Sequence, residues 1–220
     1  MVATSHSVLG STGKKTGVWL SELTHPYYAM EDKTVSIDIV SIQGGQIPID
    51  PGSLNEKDEQ NRQFLNTPEL KRVLENSRAL NTVDVSQYDA LIFAGGHGTV
   101  WDFSDNQVVA NKIRQVYADK GIVGAICHGV AAFLFGQARS IIDGKNVTGF
   151  SNKEEEIVGL SDVVPYLLED RLKAAGGIYS ATSPWGSHVV IDGNIITAQN
   201  PQSAHEFGQK VRGLLVASRN

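Results

Sequence analysis

Short apolar runs alternate with amphipathic stretches along most of the chain, and this alternation predicts strands connected by helices. Tyr88–Ala94 is apolar almost throughout, which is typical of a buried strand, and Ile122–Ala132 begins with a similar run before a turn and a helix. Asp105–Lys120 places apolar residues at helical spacing. The side chains expected to face inward are those of Val108, Val109, Ile113, Val116 and Tyr117. The pattern predicts an α/β fold with a mostly parallel sheet and helices on both of its faces.

The remaining elements are expected from the same patterns and from turn residues. The predicted strands are Thr16–Leu20, Val35–Ile42, Asn146–Phe150, Val189–Ile191 and Asn194–Ala198, the last two joined by a hairpin at Asp192-Gly193. The predicted helices are His25–Asp32, Thr67 to about Ser77, Ser151–Gly159, Pro165–Ala175 and Ser203–Ala217. No change of composition marks an internal boundary, so residues 14–220 are expected to form one domain. Residues 1–13 are rich in Ser, Thr and Gly and are interpreted as a flexible leader.

Composition and charge narrow the possible classes of function. The 220 residues include 41% hydrophobic and 20% charged residues and carry a formal net charge of −5, which is ordinary for a globular protein and offers no basic footprint for nucleic acid. The sequence has no secretory signal and no run of the roughly 20 apolar residues that a membrane helix needs. A cytoplasmic location without membrane or nucleic-acid partners is therefore expected. The single cysteine excludes an internal disulfide and a zinc site made of several cysteines.

That one cysteine, Cys127, has small residues two positions before it (Ala125) and two after it (Gly129). This is the steric pattern of a nucleophile elbow, in which a strand turns so tightly into a helix that the nucleophile is strained and exposed. The helix N-terminus would favour the thiolate, and His128 is a candidate base. The alternative is that Cys127 is a small buried hydrophobic residue, since free cysteines are often buried.

Two other polar loops follow strands of the predicted sheet. Ser21-Glu22 comes after the first predicted strand, and Gly95–Gly98 is a glycine-rich turn after Tyr88–Ala94. Ligands of open α/β sheets bind at the carboxyl ends of the strands. Both loops are therefore expected to converge with Cys127-His128.

Six motifs together resemble the ThiJ/PfpI superfamily from about residue 14 to the C-terminus. They are Thr16–Tyr27, Asp50–Ser53, Ala94–Gly98 (Ala-Gly-Gly-His-Gly), Ala125–Gly129 (Ala-Ile-Cys-His-Gly), Val147–Glu156 and Ile196–Ser203. Within the superfamily the chain resembles the branch of heat-shock chaperones and glutathione-independent glyoxalases, also called glyoxalase III. The resemblance implies a flavodoxin-like three-layer sandwich with a nucleophile elbow, and a homodimer.

The resemblance also implies roles for individual residues. Cys127 matches the nucleophile of the family, His128 its base, and Glu22 the glutamate that contacts the thiol. Glu155 matches the acidic third member of the triad, but Glu154 and Glu156 flank it and remain alternatives. A carboxyl group beside a thiolate in a partly dry pocket is expected to have a raised pKa, so Glu22 would carry a proton near neutral pH.

Further residues are candidates for binding. Backbone amides of Gly96 or His97 and of His128 are expected to hold an oxyanion, and His97 is a candidate for substrate binding. Glu22, His25 and His97 offer the donor groups of a histidine–carboxylate metal site, but their spacing does not indicate one, so no metal and no cofactor is expected. Trp19 and Trp185 either line the pocket or pack in the core.

The expected activity, by resemblance and compatible chemistry, is conversion of a small α-oxoaldehyde such as methylglyoxal to lactate through a hemithioacetal on Cys127, without glutathione. One alternative is a stress-related holding chaperone that binds unfolded protein clients through an apolar surface. Others are a cysteine peptidase or amidase of the same superfamily, a redox sensor using Cys127, and an amidotransferase glutaminase. The glutaminase fits least, because its usual spaced His-x-Glu is here the adjacent pair His205-Glu206.

Overall fold

The computed structural model describes residues 1–136 and 138–218. Its strands are β1 (Val2–Ala3), β2 (Val40–Ser41), β3 (Arg78–Ala79), β4 (Ala90–Phe93), β5 (Ile122–Ile126), β6 (Asn146–Val147), β7 (Ile178–Tyr179), β8 (Val189–Asp192) and β9 (Ile195–Ala198). Its α-helices are α1 (Leu20–Met30), α2 (Glu59–Asn66), α3 (Pro68–Glu75), α4 (Thr99–Asp102), α5 (Gln107–Ala118), α6 (Asn152–Val158), α7 (Leu168–Ala174) and α8 (Ala204–Ser218). A 3₁₀ helix at Cys127–Phe133 follows β5 directly.

Seven of these strands form one sheet in the order β3-β2-β1-β4-β5-β9-β8. All neighbours in it are parallel except β8 and β9, which form the predicted antiparallel hairpin. β6 and β7 pair separately, also in parallel. The predicted mostly parallel α/β fold is confirmed.

Strand β5 lies near the middle of the sheet and is buried along its whole length. A strand buried at every position is covered on both faces, which explains its continuous apolar sequence. Helix α5 contacts β4 and β5, α8 contacts β5 and β9, and α1 packs along α8. Gly124 of β5 lets α8 approach closely, because a Cβ atom there would lie 3.0 Å from the ring of Phe207.

Residues 2 and 3 form a buried strand of the sheet, so the prediction that residues 1–13 are a flexible leader is wrong. Val2–Ala3 pair in parallel with β2 and β4 and are fully buried. The side chain of Asp102 then accepts hydrogen bonds from Thr4 Oγ1 at 2.8 Å and from the Ser5 amide at 2.7 Å. A strand of two residues followed by polar ones has no periodicity to read, and this explains the error.

Other differences have similar reasons. Thr16–Leu20 is not a strand: only Val18 forms an isolated bridge, to Ile49, and α1 begins already at Leu20. The predicted helix Asp105–Lys120 is confirmed as α5, but Val108 in its first turn is 37% exposed rather than inward. Across the described residues, no helix combines the length and the apolar sequence that crossing a bilayer requires.

Candidate active site

The turn after β5 carries the candidate nucleophile. Cys127 has a φ of +56°, a left-handed conformation that is costly for a residue with a side chain and is typical of functional sites. Gly129 must be small, because a Cβ atom there would lie 2.7 Å from the Ala94 carbonyl oxygen. The strained elbow is therefore present. The expected exposure is wrong, since Cys127 is only 3% exposed.

His128 is placed between the thiol and a carboxylate. Its Nδ1 lies 3.4 Å from Cys127 Sγ, and its Nε2 lies 2.6 Å from Glu155 Oε2. An ionised carboxylate can only accept hydrogen bonds, so Nε2 carries the hydrogen and Nδ1 presents its lone pair to the thiol. Burial, and then the neighbouring ring of His97, lower the pKa of His128. The imidazole is therefore neutral near pH 7 and able to take the proton of the thiol.

The structure distinguishes between the three consecutive glutamates at the start of α6. Ser151 caps this helix, and its capping box with Glu154 turns Glu155 towards His128. Glu156 is on the surface and bonds Lys153 Nζ at 2.8 Å. The buried Glu154 carboxylate accepts hydrogen bonds from groups of Ser151, Trp185, Gln199 and Asn200. Only Glu155 is within reach of the imidazole.

Glu155 has a second histidine partner that sequence reasoning did not assign to it. His97 Nε2 lies 2.8 Å from Glu155 Oε1, and the rings of His97 and His128 have centroids 4.1 Å apart. Burial opposes ionisation of Glu155, but the two histidines outweigh it and lower its pKa. Phe150 covers the imidazole of His128 at 4.4 Å between centroids. The Gly-Gly-His-Gly motif singles out His97, but nothing in the sequence indicates its partner.

Glu22 reaches the thiol from the first turn of α1, rather than from the end of a strand as expected. It is fully buried, and a Cβ atom placed on Gly95 would lie 2.2 Å from Glu22 Oε2 and 2.9 Å from Cys127 Cβ. The side chains of Glu22 and Cys127 therefore both contact the space beside the Cα atom of Gly95. Neither carboxyl oxygen has a partner in hydrogen-bond geometry among the described residues.

Burial raises the pKa of Glu22 well above its usual value; the nearby thiol partly opposes this, and the carboxylates of Glu154 and Asp50 add to it. The expected direction is confirmed. Burial, and then the charge of Glu22, also raise the pKa of Cys127, and the amide of His128 only partly offsets this. The start of the helix therefore favours the thiolate, as expected, but desolvation outweighs this effect. The thiol is therefore protonated near pH 7 and needs a base.

The glycine-rich turn lies beside this pair. Gly96 has a φ of +106°, and a Cβ atom there would lie 2.3 Å from the Gly17 carbonyl oxygen. Within residues 1–136 and 138–218, the amides of Gly96 and His97 donate to no other group. Donors without a protein acceptor beside a reactive thiol suit the binding of an oxyanion.

A cavity of about 520 Å³ is lined by both Trp19 and Trp185, whereas Cys127, His128 and Glu155 are not among its lining residues. The ring centroid of Trp185 is 5.8 Å from that of Phe150, the residue that covers His128. His25 also lines this cavity and bonds Asp58 Oδ2 at 2.8 Å. Of the two readings of the tryptophans, lining a pocket agrees with the structure.

The family follows from comparison with known proteins. A model of the DJ-1/PfpI family matches residues 14–212, most of the chain. The chain belongs to the DJ-1/PfpI family.

Relatives in this family are similar over nearly the whole chain. Glyoxalase 3 of Candida albicans is 30% identical, and the glutathione-independent glyoxalase HSP31 of Saccharomyces cerevisiae is 31% identical; each match covers 91% of this chain and 90% of the relative. The solved structure of the Rapid Encystment Protein of 24 kDa from Francisella tularensis is 54% identical, with a TM-score of 0.95 over 98% of this chain and 97% of that one. That of C. albicans glyoxalase III is 30% identical, with a TM-score of 0.87 over 96% and 94%.

One group of side chains at this DJ-1/PfpI site has the composition of a metal site. The ligand atoms of His97, His128 and Glu155 all lie within 4.8 Å of one another. The separations of 2.6 and 2.8 Å between the carboxylate oxygens and the imidazole nitrogens are those of direct hydrogen bonds, which occupy the same atoms. This group differs from Glu22, His25 and His97, the candidate metal ligands named from the sequence, because His25 pairs with Asp58 instead.

Proposed function

We propose that this DJ-1/PfpI protein is a glutathione-independent glyoxalase that converts methylglyoxal and water to lactate, with Cys127 as its nucleophile. The observation that carries this proposal is the position of the thiol between two proton-transfer groups, His128 at 3.4 Å and the buried carboxyl of Glu22. Relatives named as glutathione-independent glyoxalases, about 30% identical over most of the chain, support it. Cys127 takes the part that glutathione plays elsewhere.

The first step is addition of sulfur to the aldehyde. His128 Nδ1 accepts the proton of the thiol as sulfur bonds to the aldehyde carbon. His128 then returns this proton to the aldehyde oxygen, which becomes the hydroxyl of a hemithioacetal, and the imidazole is neutral again. The strained elbow holds the thiol in place, and amides of Gly96, His97 and His128 stabilise the negative charge that develops on the oxygen. Glu155 stabilises the imidazolium that forms.

The second step moves hydrogen between two carbons. A base, His128 or the ionised form of Glu22, removes the hydrogen from the former aldehyde carbon as a proton, and the neighbouring ketone oxygen takes up a proton, giving an enediol. Reprotonation at the neighbouring carbon, for which the raised pKa of Glu22 keeps a proton available, gives a lactyl thioester on Cys127. The overall change is an internal redox isomerisation, so it needs no external oxidant or reductant.

The third step is hydrolysis. His128 takes a proton from water as the water oxygen attacks the thioester carbonyl, the carbon–sulfur bond breaks, and lactate leaves while His128 passes that proton to sulfur. Every atom of the product comes from methylglyoxal and water, and the three reaction steps need no dissociable cofactor.

Burial of the thiol bears on substrate size. Cys127 is 3% exposed and is closed in by Glu22 and Gly95, so the carbon it attacks must belong to a small group. A terminal aldehyde next to a carbonyl meets this requirement. We therefore place the substrate in the class of small α-oxoaldehydes.

The test is turnover of methylglyoxal without glutathione. Wild type, Cys127→Ser and Glu22→Gln are compared for loss of methylglyoxal and formation of lactate. The proposal expects lactate from the wild type and none above background from Cys127→Ser. A wild-type protein that makes no lactate, or a serine variant that makes as much, would refute it.

A further inference from the structure

The Glu155 carboxylate is shared between two imidazoles. Oε2 lies 2.6 Å from His128 Nε2, and Oε1 lies 2.8 Å from His97 Nε2. All three side chains are largely enclosed, with 3% of Glu155, 1% of His128 and 10% of His97 exposed. His97 is 58 positions from Glu155 in the chain, and it is not among the three residues that form the triad.

The protonation of these groups follows from their chemistry. An ionised carboxylate offers only lone pairs, so the nitrogen facing each oxygen must carry a hydrogen. A carboxylate held by one donor can turn about its last bond and offer either oxygen, whereas two donors at opposite oxygens fix its plane. Without His97, Oε1 would be a buried acceptor with no described donor, which is costly. The contact from His97 therefore favours the orientation in which Oε2 faces His128.

Contacts on several sides hold His97 itself. Its carbonyl accepts a hydrogen bond from the Val100 amide at 3.2 Å, and its ring meets Phe150 edge-on with centroids 6.0 Å apart. The turn cannot relax towards the neighbouring loop, because a Cβ atom on Gly98 would already lie 2.7 Å from the His6 carbonyl oxygen. A donor fixed in this way sets the position of its acceptor.

We propose that His97 is a positioning residue of the triad, which donates its Nε2 hydrogen to Glu155 Oε1 and so turns the other oxygen of that carboxylate towards His128. The reaction then depends on His97 through the tautomer of His128, whose Nδ1 must be free of hydrogen to accept the proton of Cys127. This role differs from the contact with substrate that the sequence indicates for His97. It deepens the function proposed above and rests on it.

Two amide substitutions at His97 show whether its hydrogen bond to Glu155 matters, or only the volume of its side chain. The side-chain nitrogen of glutamine reaches about as far as Nε2 of histidine, whereas that of asparagine ends about where Nδ1 does, short of Glu155. His97→Gln therefore keeps a donor to Oε1, and His97→Asn removes it. His188→Gln is the control, because His188 Nε2 pairs with Ser180 Oγ at 3.0 Å, away from the triad.

The readout is the rate at which iodoacetamide alkylates Cys127 near pH 7, which requires no turnover of an aldehyde. Since the wrong tautomer removes the base, His97→Asn is expected to slow alkylation on the order of ten- to a hundredfold. His97→Gln and the control stay within about twofold of wild type. The same pattern in lactate formation would extend the result to catalysis, while failure of lactate formation alone would count against the proposed function and not against this role.

A double-mutant cycle tests whether His97 acts through Glu155. In a Glu155→Gln background, His97→Asn is expected to add no more than about a twofold further loss, because the group it positions is already gone. Losses that multiply in this background, or glutamine and asparagine variants that behave alike, would overturn the proposal.

A measurement on the wild-type protein tests the proposal even if His97→Asn does not fold. If thermal unfolding shows that His97→Asn has lost its structure, ¹⁵N NMR of the wild-type imidazoles decides instead. Hydrogen on Nε2 of both histidines supports the proposal, and an Nε2 of His97 without hydrogen contradicts it.

Discussion

Glu155 Oε2 lies 2.6 Å from His128 Nε2, although the two residues are 27 positions apart in the chain. The contact exists because β5 delivers His128 at its carboxyl end, while the Ser151 cap of α6 turns Glu155 inward. It fixes which nitrogen of the imidazole can accept the proton of the thiol. The activity proposed here depends on that hydrogen bond.

Replacing Glu155 by glutamine is expected to abolish most activity. A glutamine amide has one acceptor for two imidazole donors, so the tautomer of His128 with hydrogen on Nε2 loses its advantage. We expect kcat to fall on the order of a thousandfold or more, as when the orienting acid of other triads is neutralised. Glu156→Gln is the matched control, because Glu156 is exposed and its carboxylate pairs with Lys153 on the surface. Steady-state lactate formation measures both, and equal activities would contradict the assignment.

Glu22→Gln tests proton transfer and the raised pKa together. We expect kcat to fall by about 10²–10⁴, the usual contribution of a general acid or base.

The folded state holds the Glu22 proton more tightly than the unfolded state. The stability that this provides is fully present below the unfolded value of about 4.5 and is lost as pH rises towards the folded value.

The free energy of unfolding of the wild type should therefore fall more steeply from pH 5 to pH 8 than that of Glu22→Gln. Urea denaturation of both proteins at the two pH values measures the difference, with the other ionisable groups in common. Parallel changes in the two proteins would show that Glu22 ionises as readily in the folded state as in the unfolded chain.

Gly95→Ala tests the close approach of Glu22 to the elbow. The added methyl group would lie 2.2 Å from Glu22 Oε2 and 2.5 Å from the Ile126 carbonyl oxygen. We expect a loss of about 1–3 kcal/mol in the free energy of unfolding, together with loss of activity, because one of these groups must move. Gly213→Ala in α8 is the control: no atom lies within 4 Å of its Cβ position, and a gain of up to about 1 kcal/mol is expected. A fully stable and active Gly95→Ala would rule out this packing.

Glu154 is expected to be structural. Its buried carboxylate receives hydrogen bonds from Trp185, Asn200, Gln199 and Ser151, linking the N-terminus of α6 to two segments near β9. Glu154→Gln would set an amide N–H against one of these donors and is expected to cost about 3 kcal/mol of unfolding free energy. Chemical denaturation beside Glu156→Gln measures this. If the two variants unfold alike, the hydrogen bonds of Glu154 contribute little.

Much of the fold can be predicted from local pattern, because β4 and β5 are continuous apolar runs and α5 has apolar residues at helical spacing. The beginning of the chain cannot be predicted in this way. Val2–Ala3 is a strand because β2 and β4 flank it, and two residues are too few to show a period. The burial of Cys127 cannot be predicted from the sequence either, because the groups that cover it come from distant parts of the chain.

For the site, the motifs identify its residues but not all of their contacts. Adjacency in sequence indicates the pair of Cys127 and His128, and three consecutive glutamates leave the third member of the triad open until a helix cap selects Glu155. The contact of His97 with Glu155 leaves no trace in the sequence. It arises only where the turn after β4 meets the N-terminus of α6.

Peptide mass spectrometry after an acid quench during a single turnover tests most directly whether Cys127 carries the substrate. Wild type is mixed with methylglyoxal without glutathione, quenched at short times, digested, and analysed for an adduct on Cys127 while lactate is followed in parallel; Cys127→Ser controls for adducts on other side chains. The account predicts a lactyl or hemithioacetal adduct on Cys127 that appears before lactate and decays as lactate forms. Lactate that accumulates with no adduct on Cys127 at any time, or that forms equally well from Cys127→Ser, would contradict it.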